Sequence, residues 1–179
     1  YRQLAQDAID DVFTRLGRPS PRCVTAELPL PGAAGDVAEV RAAILAAGLS
    51  DRTADRLLRR YGGRAIEVVT EAGDDPALLT VIHEPTGAIA AELIHAVTHE
   101  FAITLTDVLA RRVLLAFEPG HGLESVDSAA DLLAAHLGWD AEQRAAQIEE
   151  YHAWLQRLGV PRPAVAPAPE SHAPESVGP

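Results

Sequence analysis

The feature that most constrains this chain is a series of segments with helical periodicity, each of which ends at a glycine. Between residues 36 and 159, apolar side chains recur every three to four residues, and the runs stop at glycines. A glycine directly after a helix adopts the left-handed backbone that closes the last turn. These glycines are Gly48, Gly62, Gly73, Gly120, Gly138 and Gly159. The sequence therefore predicts an all-α fold, a helical bundle of about six or seven helices with no convincing strand.

Capping side chains stand where several of these helices should begin. Ser50 precedes an amphipathic run, and its hydroxyl can accept a first-turn amide. Thr104 with Asp107, and Asp140 with Gln143, have the spacing of capping boxes, in which two residues satisfy each other's backbone amides. The predicted helix starts thus agree with the predicted stops.

The two ends of the chain differ from this bundle. Residues 1–16 have helical periodicity, but residues 17–35 hold four prolines and predict an extended linker. Because loops of that length are uncommon inside a compact domain, we assign 1–16 to the last helix of a preceding domain and 36–159 to a separate helical domain. The prolines of 160–179 predict a disordered Pro/Ala-rich tail. With no Met and a start at a tyrosine, the chain is interpreted as a fragment of a longer protein.

Composition excludes several function classes. All fifteen basic residues are arginine, which excludes Schiff-base chemistry and a lysine-dependent phosphate loop within this chain. A formal net charge of −11 argues against nucleic acid as a partner. Cys23, the single cysteine, is interpreted as a small apolar filler or an exposed bystander. Without a long apolar run or a signal peptide, we expect a cytoplasmic location.

No catalytic residue and no metal site are assigned from the sequence. Glu92, His95 and His99 share one helical face, but half of a di-iron signature is missing and a solvated polar face explains the spacing. The serines lack a Gly-x-Ser-x-Gly setting, and no Gly-x-Gly-x-x-Gly motif is present. Residues 61–64, Tyr-Gly-Gly-Arg, resemble a phosphate loop less than they resemble an ordinary helix end.

Two charged residues fall on apolar helix faces. On a helical wheel of residues 89–101, Glu100 lies inside the apolar face, and on a wheel of 105–117 Arg112 does the same. Since charged side chains are rarely buried unless paired, Glu100 and Arg112 are predicted to form a buried structural ion pair. Asp107 and Arg111, four residues apart, are predicted to form an ordinary surface pair.

Several segments of the chain resemble one enzyme family. The most specific segment is Glu92 together with His99–Ala102 and Thr104–Arg112, which is similar to the Glu-x-Ala-x-Thr-Leu-x-Asp-Val-Leu-x-Arg-Arg signature of FAD-dependent, quinone-linked glycerol-3-phosphate dehydrogenases and alpha-glycerophosphate oxidases. Further similar segments are 1–8, 28–32, 57–62, 137–140 and Tyr151. The resemblance identifies the chain as the C-terminal helical cap domain of such an enzyme. Residues 83–87 depart from the family pattern, which leaves the shape of that loop open.

The resemblance implies a function carried by a longer parent chain. Such enzymes oxidise sn-glycerol 3-phosphate to dihydroxyacetone phosphate with FAD and pass electrons to quinone. The flavin-binding domain would precede Tyr1, so the fragment itself would be structural, with only Tyr1 and Arg2 adjacent to the flavin. The parent is further expected to be cytoplasmic, able to form a homodimer, and peripheral at the inner face of the plasma membrane.

Two alternatives stay open at this stage. The chain could be a stand-alone acidic helical protein-interaction module, which a flavin fingerprint upstream of Tyr1 would exclude. Within the enzyme interpretation, the sequence does not decide between quinone and oxygen as electron acceptor.

Overall fold

The computed structural model describes residues 1–161, and helices dominate this part of the chain. The α-helices of the described residues are α1 Arg2–Arg15, α2 Val37–Ala46, α3 Asp51–Tyr61, α4 Ala65–Thr70, α5 Ala90–Glu100, α6 Val126–Leu137 and α7 Ala141–Arg157. Short 3₁₀ turns lie at Gly62–Arg64, Pro76–Leu79, Leu115–Phe117 and Leu123–Ser125, and a π-helix lies at Asp107–Arg112. The predicted all-α fold is confirmed, and the described residues hold six α-helices after α1, where about six or seven were predicted.

One small hairpin departs from the expectation of no strand. β1 Val81–His83 pairs antiparallel with β2 Ala88–Ile89. Its loop covers the residues that depart from the family pattern, and His83 Nδ1 lies 2.8 Å from Thr86 Oγ1 across it. Strands of three and two residues are too short for an alternating pattern to be visible in the sequence.

Contacts divide the chain into two units, residues 1–91 and the residues from Glu92 onward. The domain limits predicted from the sequence, 1–16, 17–35 and 36–159, stay predictions. Residues 162–179 of the predicted tail lie outside the described residues.

The core of the first unit is formed where α2, α3 and α4 pack together with β2. Its buried members are Ile44, Ala54, Leu57, Ala65, Val68, Ile89 and Ala91. Arg41 of α2 bridges Asp51, at 2.6 Å, and Asp55 on α3. Ser50 caps α3, as predicted, by accepting the amide of Thr53 at 3.2 Å. Helix α1, in contrast, has no buried residue.

The end of the linker is held against the turn that follows α3. Gly63 N donates to the carbonyl of Gly32 at 2.7 Å. A Cβ on Gly63 would lie 1.7 Å from the carbonyl oxygen of Ala34, and one on Gly32 would lie 2.4 Å from that of Tyr61. These glycines allow two backbones to touch, which supports the interpretation of residues 61–64 as a structural helix end.

The second unit is built around α6 and α7. Arg144 of α7 bridges Asp127 at 3.0 Å and Asp131 at 2.6 Å, both on α6. The predicted capping box of Asp140 and Gln143 is present at the start of α7. Tyr151 is buried, its hydroxyl donates to the carbonyl of His121 at 2.6 Å, and burial raises the pKa of its phenol.

Candidate functional site

The segment from the end of α5 through the first 3₁₀ turn of the second unit, residues 100–117, departs most from regular helix. Phe101 and Leu114 both adopt the left-handed backbone, with φ 59° and 60°. Bulky residues seldom take this conformation, and such strain clusters at functional surfaces. The helix predicted over 105–117 is therefore not continuous, because Leu114 breaks it and the preceding turns are π-helical.

A reciprocal cap holds the turn at the start of this segment. Thr104 Oγ1 accepts the amide of Asp107 at 3.0 Å, and the Asp107 carboxylate accepts the amides of Thr104 at 3.1 Å and Ile103 at 3.2 Å. The amide of Leu105 donates to Gln147 Oε1 at 2.9 Å, which ties the turn to α7. The capping box predicted at Thr104 is confirmed.

Asp107 is also the partner of Arg111, as predicted from their spacing. The arginine side chain is 58% exposed but the carboxylate only 15%, so the pair is half-buried rather than a true surface pair. Burial raises the pKa of Asp107, and hydrogen bonds from Thr104, Ile103 and Arg111 outweigh it, so that the net pKa is lowered.

Arg112 and Glu100 meet, but not as the predicted buried ion pair. Arg112 Nε donates to the backbone carbonyl of Glu100 at 2.8 Å, and both residues are only partly buried. Glu100 is the last residue of α5, where carbonyl groups have no partner within the helix. The guanidinium therefore bonds the helix end instead of the carboxylate.

Exposed apolar side chains lie close in sequence to the two bonded residues. Phe101, directly after Glu100, is 90% exposed, and Ile103 is 72% exposed. Leu114, two residues after Arg112, is 39% exposed. We call Phe101, Ile103, Arg112 and Leu114 the Phe101 surface. Sequence reasoning missed it, because the helical wheel extended α5 through Phe101 and so placed no strained, exposed aromatic there.

The predicted polar face of α5 is wrong in its burial. Glu92 and His95 are buried, at 0% and 1% exposure, and only His99 is exposed. The rings of His95 and His99 lie with their centroids 4.7 Å apart. The sequence pattern could not show that Glu92 and His95 are buried. Residues 90–96 of α5 are all buried, so its polar residues do not mark a solvent-facing side.

Tyr1 and Arg2, predicted to lie beside a flavin, line one cavity in the first unit. It measures about 520 Å³ between α1 and the linker and is also lined by Cys23. Tyr1 is 96% exposed, and the Arg2 guanidinium carbon lies 6.0 Å from the centre of its ring. Tyr1 makes no side-chain hydrogen bond to the first turn of α1, so the positive end of the helix is not capped by that side chain.

These helices define a class of all-α domain, and the comparisons with known proteins give its family. A family model described as the C-terminal domain of alpha-glycerophosphate oxidase matches residues 23–144. The chain belongs to this family.

Curated relatives agree with this assignment. The chain is 30% identical over 164 residues to glycerol-3-phosphate dehydrogenase of Synechocystis sp., which covers 90% of this chain and 30% of that protein. It is 34% identical over 160 residues to glycerol-3-phosphate dehydrogenase of Mycobacterium leprae, covering 87% and 27% respectively. The chain therefore spans less than a third of the length of these relatives. No solved structure was found to match it.

Among residues 1–161, none of the helices combines the length and the apolar character that crossing a bilayer requires.

Proposed function

We propose that this chain is the non-catalytic C-terminal domain of a flavoprotein that oxidises sn-glycerol 3-phosphate to dihydroxyacetone phosphate. The observation that carries the proposal is the family match over residues 23–144, together with relatives named glycerol-3-phosphate dehydrogenase that are more than three times as long. The catalytic machinery is then assigned to the part of the parent that precedes this chain, and quinone is the proposed electron acceptor. The parent is proposed to be cytoplasmic, peripheral at the membrane and able to form a homodimer.

The apolar face of α1 supports a preceding domain. Leu4, Ile9 and Leu16 are 74%, 51% and 61% exposed. Residues 1–22 also lie outside the matched C-terminal domain model. A 14-residue helix that buries nothing gains little stability alone, so its apolar face is assigned to contact with the flavin-binding domain.

The residues at the start of α1 fit a flavin only as one edge of its site. Bound FAD would accept the two electrons that leave the secondary alcohol of the substrate. The uncapped positive end of α1 is suited to stabilise an anionic group placed before it, with Arg2 and Tyr1 beside that group. The rest of the cofactor requires residues outside this chain.

The test uses the full parent protein and the chain alone. Purified parent should carry yellow, flavin-type absorbance and reduce a quinone analogue when sn-glycerol 3-phosphate is added, whereas glycerol should give no reaction. Residues 1–179 alone should be colourless and inactive. A parent that stays colourless and inactive after incubation with FAD would overturn the proposal, as would substrate oxidation by the chain alone.

A further inference from the structure

We propose that the Phe101 surface is the contact through which the second unit docks on the preceding part of the same polypeptide, with Arg112 receiving a carboxylate from it. This inference rests on the proposed function, because it names the partner of this domain within the parent chain. It adds a second contact to that of α1, in a different unit and at different residues.

The first argument is the bonding of the Arg112 guanidinium. Its Nε is fixed by the carbonyl of Glu100 at 2.8 Å, which orients the planar group. Its two terminal nitrogens meet no carboxylate among residues 92–161, although acidic side chains outnumber arginines there. The neighbouring Arg111, by contrast, is paired with Asp107. A half-buried guanidinium with two free terminal nitrogens is suited to bidentate binding of a carboxylate.

The second argument is the strained and exposed backbone around it. Phe101 is held at φ 59° with 90% of its surface exposed, and Leu114 at φ 60°. The left-handed conformation is strained for a side chain of this kind. Aromatic and arginine side chains are both enriched at the core of protein interfaces, and this short segment supplies one of each.

The third argument concerns which partner covers this surface. The relatives contain more than twice as much polypeptide beyond the matched region as within it, and this chain matches a C-terminal domain. A second copy of this chain is disfavoured at this surface, because direct contact here would bring two chains of formal net charge −11 together; the proposed homodimer would then use another surface. The preceding part of the parent is therefore the assigned occupant.

The first experiment measures whether Phe101 is covered in the full parent. Phe101→Cys and, as a matched exposed control, Leu158→Cys (55% exposed here) are labelled with a thiol reagent, and each site is quantified by peptide mass spectrometry. Relative to urea-unfolded protein, Phe101→Cys should react at least tenfold more slowly than Leu158→Cys. Equal rates would overturn the docking proposal.

The second experiment identifies the partner of Arg112. The chain has no lysine, so Arg112→Lys in the parent introduces a single amine into this domain. A carbodiimide should couple it to a carboxylate that precedes Tyr1 in the parent. The control Arg111→Lys should couple to Asp107 instead. Coupling of the Arg112→Lys amine to a carboxylate of residues 1–179, or its failure to couple, would overturn the proposed carboxylate contact.

Cross-linking a mixture of isotope-labelled and unlabelled parent protein distinguishes a contact with the preceding domain from a contact with a second copy. Cross-links within one polypeptide support the proposal, and cross-links between differently labelled copies overturn it in favour of a dimer contact. Neither experiment uses catalytic activity. A parent that fails to oxidise glycerol 3-phosphate would therefore overturn the proposed function. The docking proposal would still be decided by the labelling and cross-linking results.

Discussion

Arg112 and Glu100 show what a helical wheel can and cannot predict about single residues. The two residues do approach each other, but the wheels placed both side chains on buried apolar faces, whereas both residues are only partly buried. The wheels could not indicate which atoms bond. The carbonyl of Glu100 lies at the end of α5 and has no partner within the helix. It therefore accepts the hydrogen bond from Arg112, and the Glu100 carboxylate does not.

This bonding predicts the outcome of a double-mutant cycle. Arg112→Leu should cost about 1.5–3 kcal/mol, the range for a hydrogen bond with a charged donor, whereas Glu100→Leu should cost under about 1 kcal/mol. Because the acceptor is backbone, the coupling free energy between the two changes should be under about 0.5 kcal/mol. Urea unfolding measures all three values. A coupling free energy above about 2 kcal/mol would contradict this expectation and indicate that the two side chains form the buried ion pair after all.

Asp107 predicts a specific dependence of stability on pH. The pKa of Asp107 is lowered in the folded chain. As the pH falls below about 4, the unfolded state therefore binds a proton at this carboxylate more readily than the folded state does. Its contribution is present above that pH and is lost as the pH falls through the lowered folded pKa. The difference in unfolding free energy between wild type and Asp107→Asn should therefore shrink between pH 6 and pH 3. A difference that is constant over this range would show that the negative charge of Asp107 does not stabilise the fold. Asp140→Asn, which changes the capping residue of α7, is the control.

At the scale of elements, regular helices were predicted well and irregular ones were not. α3 and α7 follow from capping residues and closing glycines, which are local signals. The hairpin and the π-helix were missed because their causes are not local. β1 is too short to show a period, and the π-helical turns end where Val113 N reaches Val108 O at 2.8 Å, a contact that no sequence motif marks.

The linker–turn contact gives a prediction with a matched control. Gly63→Ala places a Cβ 1.7 Å from the carbonyl oxygen of Ala34, so the two backbones must separate. We expect a loss of about 2–3 kcal/mol of unfolding free energy, the upper part of the range of about 1–3 kcal/mol for overpacking. Gly138→Ala meets nothing within 4 Å and should cost only the strain of φ 72°, about 1 kcal/mol. Equal losses in the two variants would show that the contact does not stabilise the fold.

Helix α1 predicts a difference between the chain alone and the parent. Because α1 buries no residue, its amide hydrogens should exchange within seconds in residues 1–179 alone and far more slowly in the parent. Hydrogen exchange with mass spectrometry measures both. α3, which buries Ala54 and Leu57, is the control and should be protected in each case. Rapid exchange of α1 in the parent would mean that nothing covers it.

At the scale of the whole molecule, the family could be predicted from the sequence and the Phe101 surface could not. The signature from Glu92 to Arg112 was sufficient to indicate the family that the match over 23–144 shows. The same signature gave no indication that Phe101 lies outside α5, because a phenylalanine carries no preference for the left-handed backbone that would mark it. Sequence patterns identify buried faces more readily than exposed ones.

The anchoring of Gly32 on the turn after α3 sets the length of the tether between α1 and the helical domain. Only residues 17–31 are left to span that gap, at most about 50 Å when fully extended. A domain that detached from its partner would stay within that radius, at an effective concentration of about the millimolar range. The detached domain would then rebind readily, and even a weak contact with the preceding part of the parent would keep the domain in place.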